Sequence, residues 1–358
     1  VDPFSTGAVV AHRLNLRGYR VIAVYGTELD KLEKVKNLVP KGVPVVFEEV
    51  FGVAGKYGPE LLTDKDGLSF FRVGDYQLKP INYRSTVFMD VDLRLERMEQ
   101  DGIDVQMLSP NPLTMFHHVP KETAIKFCQI QNDTMAKVVS KHPGKLLGSA
   151  ALPMQDVNAA IKELDRAINQ LGLVAAYTGT HYPFGIDDPI LDDFYSALVE
   201  MNVPLFLHPA SSGGDKGPDD SRLDRFNLTI LLGYPYEEML ACATLLFGGV
   251  LERHPNLDIC ISHGGGGLPY LFDRFVGMTK FGNWIPDSIR EHGFSRMLKK
   301  LWFDAHVDGE TAHNRLVEVV GHSRLVYGTN FGGWDTPSAA DEFAASLTPN
   351  AEALLRLN

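Results

Sequence analysis

Four consecutive glycines, Gly264 to Gly267, follow directly on a histidine, His263, that closes an apolar run from Leu257 to Ile261. Few features narrow the choice of fold as much. Neither helix nor strand accommodates such a run, because glycine loses more backbone freedom on ordering than any other residue. The run makes sense where backbone passes close to something else. A polar side chain at the C-terminal end of a buried strand, ahead of a tight loop, is how parallel α/β barrels present reactive groups. From these residues alone the competing reading is a tight turn with a solvated histidine.

The chain around this stretch alternates. Strands are expected at 105–109, 145–150, 173–178, 204–207, 257–261, 301–303 and 325–327, and helices at 92–100, 122–142, 157–170, 190–201, 236–247, 312–320 and 351–357. Such an order means parallel βα units, and right-handed crossovers close them into a (β/α)₈ TIM barrel. The strands end on polar residues or turn signals: Ser109-Pro110, Gly179-Thr180-His181, His208-Pro209, Ser262-His263, Asp304-Ala305-His306 and Gly328-Thr329-Asn330. In a barrel these ends share one mouth, whereas a doubly wound sheet concentrates them at a switch point.

Two domains are expected, a short α/β segment over 1–55 and the barrel over 56–358. In the first, Ser5-Thr6-Gly7 caps a helix to about Leu16, Tyr19 to Tyr25 is a strand, Glu28 to Leu38 a helix and Val43 to Val50 a strand. Asp2 to Gly7 resembles the start of the domain that precedes the ATP-grasp fold. A nucleotide there is an open alternative, but the G-x-G-x-x-G spacing is missing and a capped helix start accounts for the same residues. Residues 56–85, with Gly58-Pro59, Asp66-Gly67 and Gly74-Asp75, read as an irregular excursion.

Composition removes some partners. A net charge of −11 opposes nucleic acid and anionic membrane surfaces. No stretch approaches the ~18 uninterrupted apolar residues of a membrane span, and the N-terminus lacks a basic-then-apolar leader. Cys128, Cys242 and Cys260 share no metal-like spacing and read as buried thiols of a reducing compartment. A cytoplasmic location is the expectation.

Four histidines, His181, His208, His263 and His306, each lie just past a different strand. An imidazole there can ligate a metal through one nitrogen while the other is oriented by an acceptor, or it can move a proton near neutral pH. The residues alone do not divide these roles.

From about Lys56 onward the chain resembles the amidohydrolase-2 branch of the amidohydrolase superfamily, which includes aminocarboxymuconate-semialdehyde decarboxylase, resorcylate-type decarboxylases and related hydrolases and hydratases. The matching stretches are Arg94 to Met98 through Gly102 to Pro110; Gly179-Thr180-His181; Leu205 to Pro209; Ser262 to Gly266 with Pro269-Tyr270 and Arg274; and Leu325 to Asn330. The resemblance implies a metal-dependent barrel. It implies His208 as a metal ligand and His263 as the residue that protonates substrate or activates water. Arg274 would hold a substrate carboxylate, in some members from the neighbouring subunit, which implies a homodimer and suits a guanidinium fork. His181 joins Arg274 as a substrate-binding candidate. The expected function is a decarboxylase or hydrolase of a small aromatic or unsaturated carboxylate. Its cofactor would be a divalent metal, zinc first, if the site is functional, and otherwise none.

Two departures bear on that metal. The branch opens with H-x-H on its first strand, and this chain has no H-x-H. The last-strand aspartate is replaced by Asn330, a neutral amide and a poor zinc ligand. Asp335, Glu48, Glu49 and the pair His117-His118 are possible substitutes, each with a solvated loop residue as the plainer reading. The alternative function is therefore a metal-free barrel that binds a small acid or a protein partner without turnover.

Overall fold

The computed structural model describes residues 38–39, 44–45, 47–53, 55–74, 76–78, 80–209, 220–331 and 341–357. The elements expected between residues 5 and 37, the candidate nucleotide turn at Asp2 to Gly7, and Asp335 lie outside the described residues.

Two short strands come first, β1 (Leu38–Val39) and β2 (Pro44–Val45). Leu38 opens a strand where the end of a helix was expected. Glu48–Val50, expected as strand, is a turn of 3₁₀ helix. Residues 56–85 are more ordered than their turn signals suggested. β3 (Pro59–Thr63), β4 (Ser69–Val73) and β5 (Tyr76–Leu78) form an antiparallel sheet. Its first loop is built by Asp64, whose carboxylate accepts the N–H groups of Asp66 and Leu68. Asp66-Gly67 thus marks a hairpin rather than coil.

The main sheet is parallel throughout. β6 (Val105–Pro110), β7 (Leu146–Ala151), β8 (Ala175–Gly179), β9 (Leu205–His208), β10 (Ile259–Ile261), β11 (Trp302–Asp304) and β12 (Leu325–Val326) pair in chain order. β1 and β2 both pair with the free side of β6, Leu38 opposite Val105 and Pro44 opposite Ser109. Together they take the eighth strand position, so residues on both sides of position 55 share one sheet. The order is that of a (β/α)₈ barrel.

Helices alternate with these strands: α1 (Val91–Asp101), α2 (Lys121–Val139), α3 (Val157–Asn169), α4 (Asp192–Glu200), α5 (Tyr234–Phe247), the short α6 (Val250–Arg253), α7 (Leu268–Met278), the paired α8 (Asp287–His292) and α9 (Phe294–Leu298), α10 (Glu310–Val320), α11 (Glu342–Ser346) and α12 (Thr348–Leu355). Local chemistry sets their ends. Asp90 caps α1 by accepting the Leu93 N–H, and Gly102, at φ 73°, stops it. Asp156 caps α3 through the Ala159 N–H. Caps of this kind are worth ~1 kcal/mol each.

Strand alternation decides what faces the barrel axis. Met107, Tyr177, Phe206, Cys260, Trp302 and Val326 fill the interior, closed from one side by Ala351 and Leu354 of α12. Leu205, Leu207, Ile259, Ile261 and Phe303 pack outward against the helices. Each buried side chain of this size contributes ~1.5–3 kcal/mol. The period of two then carries His208, Ser262 and Asp304 inward, two residues beyond Phe206, Cys260 and Trp302.

The helical run Thr229–Phe247 is long and apolar enough to cross a membrane by length and composition. Here it covers the barrel, with Glu237, Glu238, Ala241, Cys242, Leu245 and Leu246 buried.

Candidate active site

The glycine run exists to seat His263. Gly264, Gly265 and Gly266 have φ values of 61°, 74° and 61°. A Cβ on Gly265 would come within 2.9 Å of the Phe303 ring, and one on Gly266 would overlap the carbonyl of Pro235. The loop therefore lies directly on the first turn of α5. His263 itself sits at φ 46°. That left-handed conformation costs a residue with a Cβ roughly 1–2 kcal/mol and persists where surroundings enforce it. The enforcing partner is on the same helix: His263 Nδ1 lies 2.5 Å from Oε1 of Glu238, whose side chain is fully buried. A carboxylate there fixes the Nδ1–H tautomer, turns Nε2 outward and stabilises the imidazolium once it forms.

His263 is the centre of a row of imidazoles. Its ring centroid lies 5.4 Å from His208 and 5.5 Å from His306. The Nδ1–H of buried His208 donates to the Pro209 carbonyl at 2.8 Å, which leaves the lone pair on Nε2. Tyr177 and Tyr234 flank His208 at 6.2 and 6.3 Å. Asp304 is buried and accepts the backbone N–H of His306 at 3.2 Å. Burial pushes the Tyr177 hydroxyl far above the usual phenol range, with the nearby Asp304 and Glu238 charges adding to it. Tyr177 is therefore a neutral group.

A second group adjoins this row. Gly179 is the sheet neighbour of His208 and donates its N–H to Nε2 of His117 at 3.1 Å. His117 is buried, and its pKa is pushed down to about 3 by burial and by His118 and His181. It is a neutral structural acceptor, and this bond removes it as a substitute metal ligand. His118 packs edge-on against Phe116 and Tyr57. His181 is exposed and makes no ring contact with the histidine row among the described residues; its charge reaches His117 and Glu237. Burial raises the Glu237 pKa, with His181 and Thr180 acting against it.

The other candidates fall elsewhere. Arg274 is exposed on α7 and has no hydrogen bond or ion pair among the described residues. Asn330 is half-buried on the loop after β12. Glu48 pairs with Arg84, and Glu49 with Lys137 at 3.9 Å, all well exposed. Both carboxylates are spent on surface pairs and do not stand in for H-x-H.

The described residues by themselves do not complete a divalent-cation site. Among the described residues no three His, Cys, Asp or Glu side chains are grouped to hold one. His208 has the orientation of a metal-ligating imidazole. Beside it, Nδ1 of His263 is taken by Glu238 and one oxygen of Asp304 by the His306 amide.

Sequence reasoning missed Glu238. The available signal was a pair of acids, Glu237-Glu238, in the first turn of an otherwise apolar helix, where a charge needs a partner.

A parallel barrel with histidines gathered at its strand ends defines a class of enzymes, and comparison places the chain within it. Residues 88–356 match the profile of Amidohydro_2, described as amidohydrolase. The chain belongs to this family. It is similar to the 2-amino-3-carboxymuconate-6-semialdehyde decarboxylase of Dictyostelium discoideum, 32% identical over 247 residues. That alignment covers 68% of this chain and 66% of the relative, just under two-thirds of its length. It is also similar to the gamma-resorcylate decarboxylase of Rhizobium sp. (strain MTP-10005), 28% identical over 324 residues, which are 86% of this chain and 93% of that one. Among solved structures, a 2,6-dihydroxybenzoate decarboxylase from Rhizobium superimposes with a TM-score of 0.66 at 25% identity, covering 78% of this chain and 93% of that one. A dihydroxybenzoic acid decarboxylase from Polaromonas sp. JS666 with bound manganese gives a TM-score of 0.68 at 21% identity, covering 91% and 98%, a likeness of fold.

Proposed function

We propose that this chain is a decarboxylase of a small aromatic or unsaturated carboxylic acid, with His263 as the proton donor. The observation that carries the reading is the Glu238–His263 pair at the barrel mouth. The activities of the relatives support it, and they favour turnover over the alternative of a barrel that only binds. In the reaction the bond between ring carbon and carboxylate breaks and its electron pair stays on carbon. CO₂ departs, and the Nε2–H of His263 delivers a proton to that carbon. Glu238 stabilises the imidazolium before transfer and holds the ring in line.

The substrate carboxylate needs a cation, and Arg274 is exposed for that task. We assign it to the mouth of a neighbouring copy, in a homodimer. Exposed large apolar side chains, Leu231, Leu232 and Tyr236 around the start of α5 and Phe281 and Trp284 after α7, are in keeping with such a dimer. A cytoplasmic location fits the three free buried thiols. A divalent metal at His208, zinc first, draws support from the manganese-bound neighbour and from the orientation of the His208 ring, while the described residues supply no group of three ligands. When bound it would polarise a substrate oxygen. Elemental analysis of protein expressed with added zinc and manganese decides it: a stoichiometric ion supports the cofactor, and its absence removes it.

The function itself is tested by following CO₂ release from 2,6-dihydroxybenzoate and related acids. Wild type should turn over at least one. His263→Ala should lose ~10²–10⁴-fold in kcat with an unchanged circular dichroism spectrum. Undiminished turnover by the variant would refute the assignment.

A further inference from the structure

Two adjacent glutamates stand in the first turn of α5, and the proton transfer uses only Glu238. Resting on the decarboxylase reading, we propose that Glu237 determines specificity: it accepts a hydrogen bond from an amino or hydroxyl substituent of the substrate, so that donor-bearing acids are selected over analogues of the same size without the donor.

Successive residues of a helix project ~100° apart. Glu238 reaches His263, past the end of β10, and Glu237 reaches the opposite flank of β9. Its Oε2 lies 3.4 Å from the hydroxyl of Thr180, the residue that follows β8. The Thr180 N–H donates to the His208 carbonyl at 3.1 Å, one residue beyond the pairing of Gly179 with His208. The Glu237 carboxylate is therefore level with the strand ends, on the β8 side of His208 as His263 is on the β10 side. Tyr234, one turn earlier on the same helix face, lies 6.3 Å from the His208 ring between centroids.

This carboxylate is poorly satisfied. Among the described residues Glu237 has no ion pair, and its one hydrogen bond is the long contact with Thr180. A bond of that length is weak, whereas an ionised carboxylate accepts at about four lone-pair positions. Such a group is costly to bury. Glu237 keeps 9% of its surface exposed where Glu238 keeps none, so it remains open to a ligand. A substrate that brings an N–H or O–H completes it. One that fills the same space without a donor leaves it stranded, which is how a site discriminates most strongly.

The test sets hydroxy- and aminobenzoates against fluorobenzoates substituted at the same carbons, because fluorine is close to a hydroxyl in size and donates no hydrogen bond. kcat/KM is measured in mildly alkaline buffer for wild type, Glu237→Gln and Glu237→Leu, with circular dichroism to confirm folding. Dividing the hydroxy-to-fluoro ratio of a variant by that of wild type cancels ring electronics. The ratio should fall ~10-fold or more in Glu237→Leu. It should fall ~3-fold or more in Glu237→Gln, whose amide oxygen still accepts but carries no charge. A ratio within about twofold of wild type in the folded variants overturns the assignment and leaves the decarboxylase reading standing. If Glu237→Leu does not fold, Glu237→Gln decides by the same criterion. Titration calorimetry with the same acids reads the preference without turnover. A wild type that shows the Glu237-dependent preference in binding and releases CO₂ from none of the acids overturns the decarboxylase reading alone. One that binds none of them overturns both.

Discussion

The two sides of the barrel mouth are built differently. Along β9, β10 and β11 the strand-end groups are tied down: His263 Nδ1 meets Glu238, the His208 ring donates to the Pro209 carbonyl, and the backbone N–H of His306 donates to Asp304. On the other side, around β1, β2 and the end of β12, the corresponding positions are solvent-facing or neutral. Glu48 and Glu49 engage Arg84 and Lys137 on the surface, and Asn330 stands where a carboxylate was expected. Buried ionisable groups persist when they are paired, so the first side is held in a fixed arrangement. Exposed pairs such as those of the second side contribute ~0–1 kcal/mol and constrain little. A (β/α)₈ scaffold tolerates this asymmetry because each strand end is supported by its own helix rather than by the strand opposite.

Several substitutions break or sharpen that contrast. The largest effect after removal of His263 itself is expected from Glu238→Gln. The amide keeps the shape but cannot balance an imidazolium, and kcat should fall ~10–100-fold, with KM nearly constant in steady-state assays. Gly266→Ala attacks the same side through the backbone. The new methyl group meets the Pro235 carbonyl. The variant should lose ~1–3 kcal/mol in urea unfolding and lose activity with it, because the loop carries His263.

Acid should weaken the molecule through His117. Its folded pKa, about 3, lies below the ordinary value of 6.5, so the unfolded chain binds more protons between them. Stability from this group is intact above pH 6.5 and declines as pH falls toward 3, by up to ~1.4 kcal/mol per pH unit. Thermal melts across that range should show a shallower decline in His117→Gln than in wild type. The smallest effect belongs to the opposite side. Glu48→Gln together with Glu49→Gln should change unfolding free energy by less than ~0.5 kcal/mol and leave turnover unaltered. A tenfold loss of activity in that double variant would mean these carboxylates serve the site after all.

Much of this was legible in the chain. The strands fell within a few residues of their expected spans, because each is a short apolar run between turn signals. Three of the four strand-end histidines came together because strand ends share one mouth; alternation carries His208 inward, whereas His263 owes its place to the left-handed turn of the glycine loop. His181 stood apart on the exposed loop after β8, without a ring contact to the other three among the described residues. Glu238 escaped notice for a different reason. Its bond to His263 joins residues 25 apart in sequence, and it forms only because the glycine loop folds back onto the start of α5. Nothing local encodes that contact. The antiparallel sheet of β3 to β5 was missed because its turn signals were read singly rather than as the loops between paired strands.

The most direct measurement is hydrogen exchange at the carbon that loses CO₂. A decarboxylated product, incubated in D₂O with enzyme and followed by proton magnetic resonance, reports the reverse of the protonation step alone. Wild type should erase the signal of that one ring position, and His263→Ala should leave it intact over the same period. Equal exchange by both proteins would contradict the account, because the proton would then reach carbon from a group other than His263.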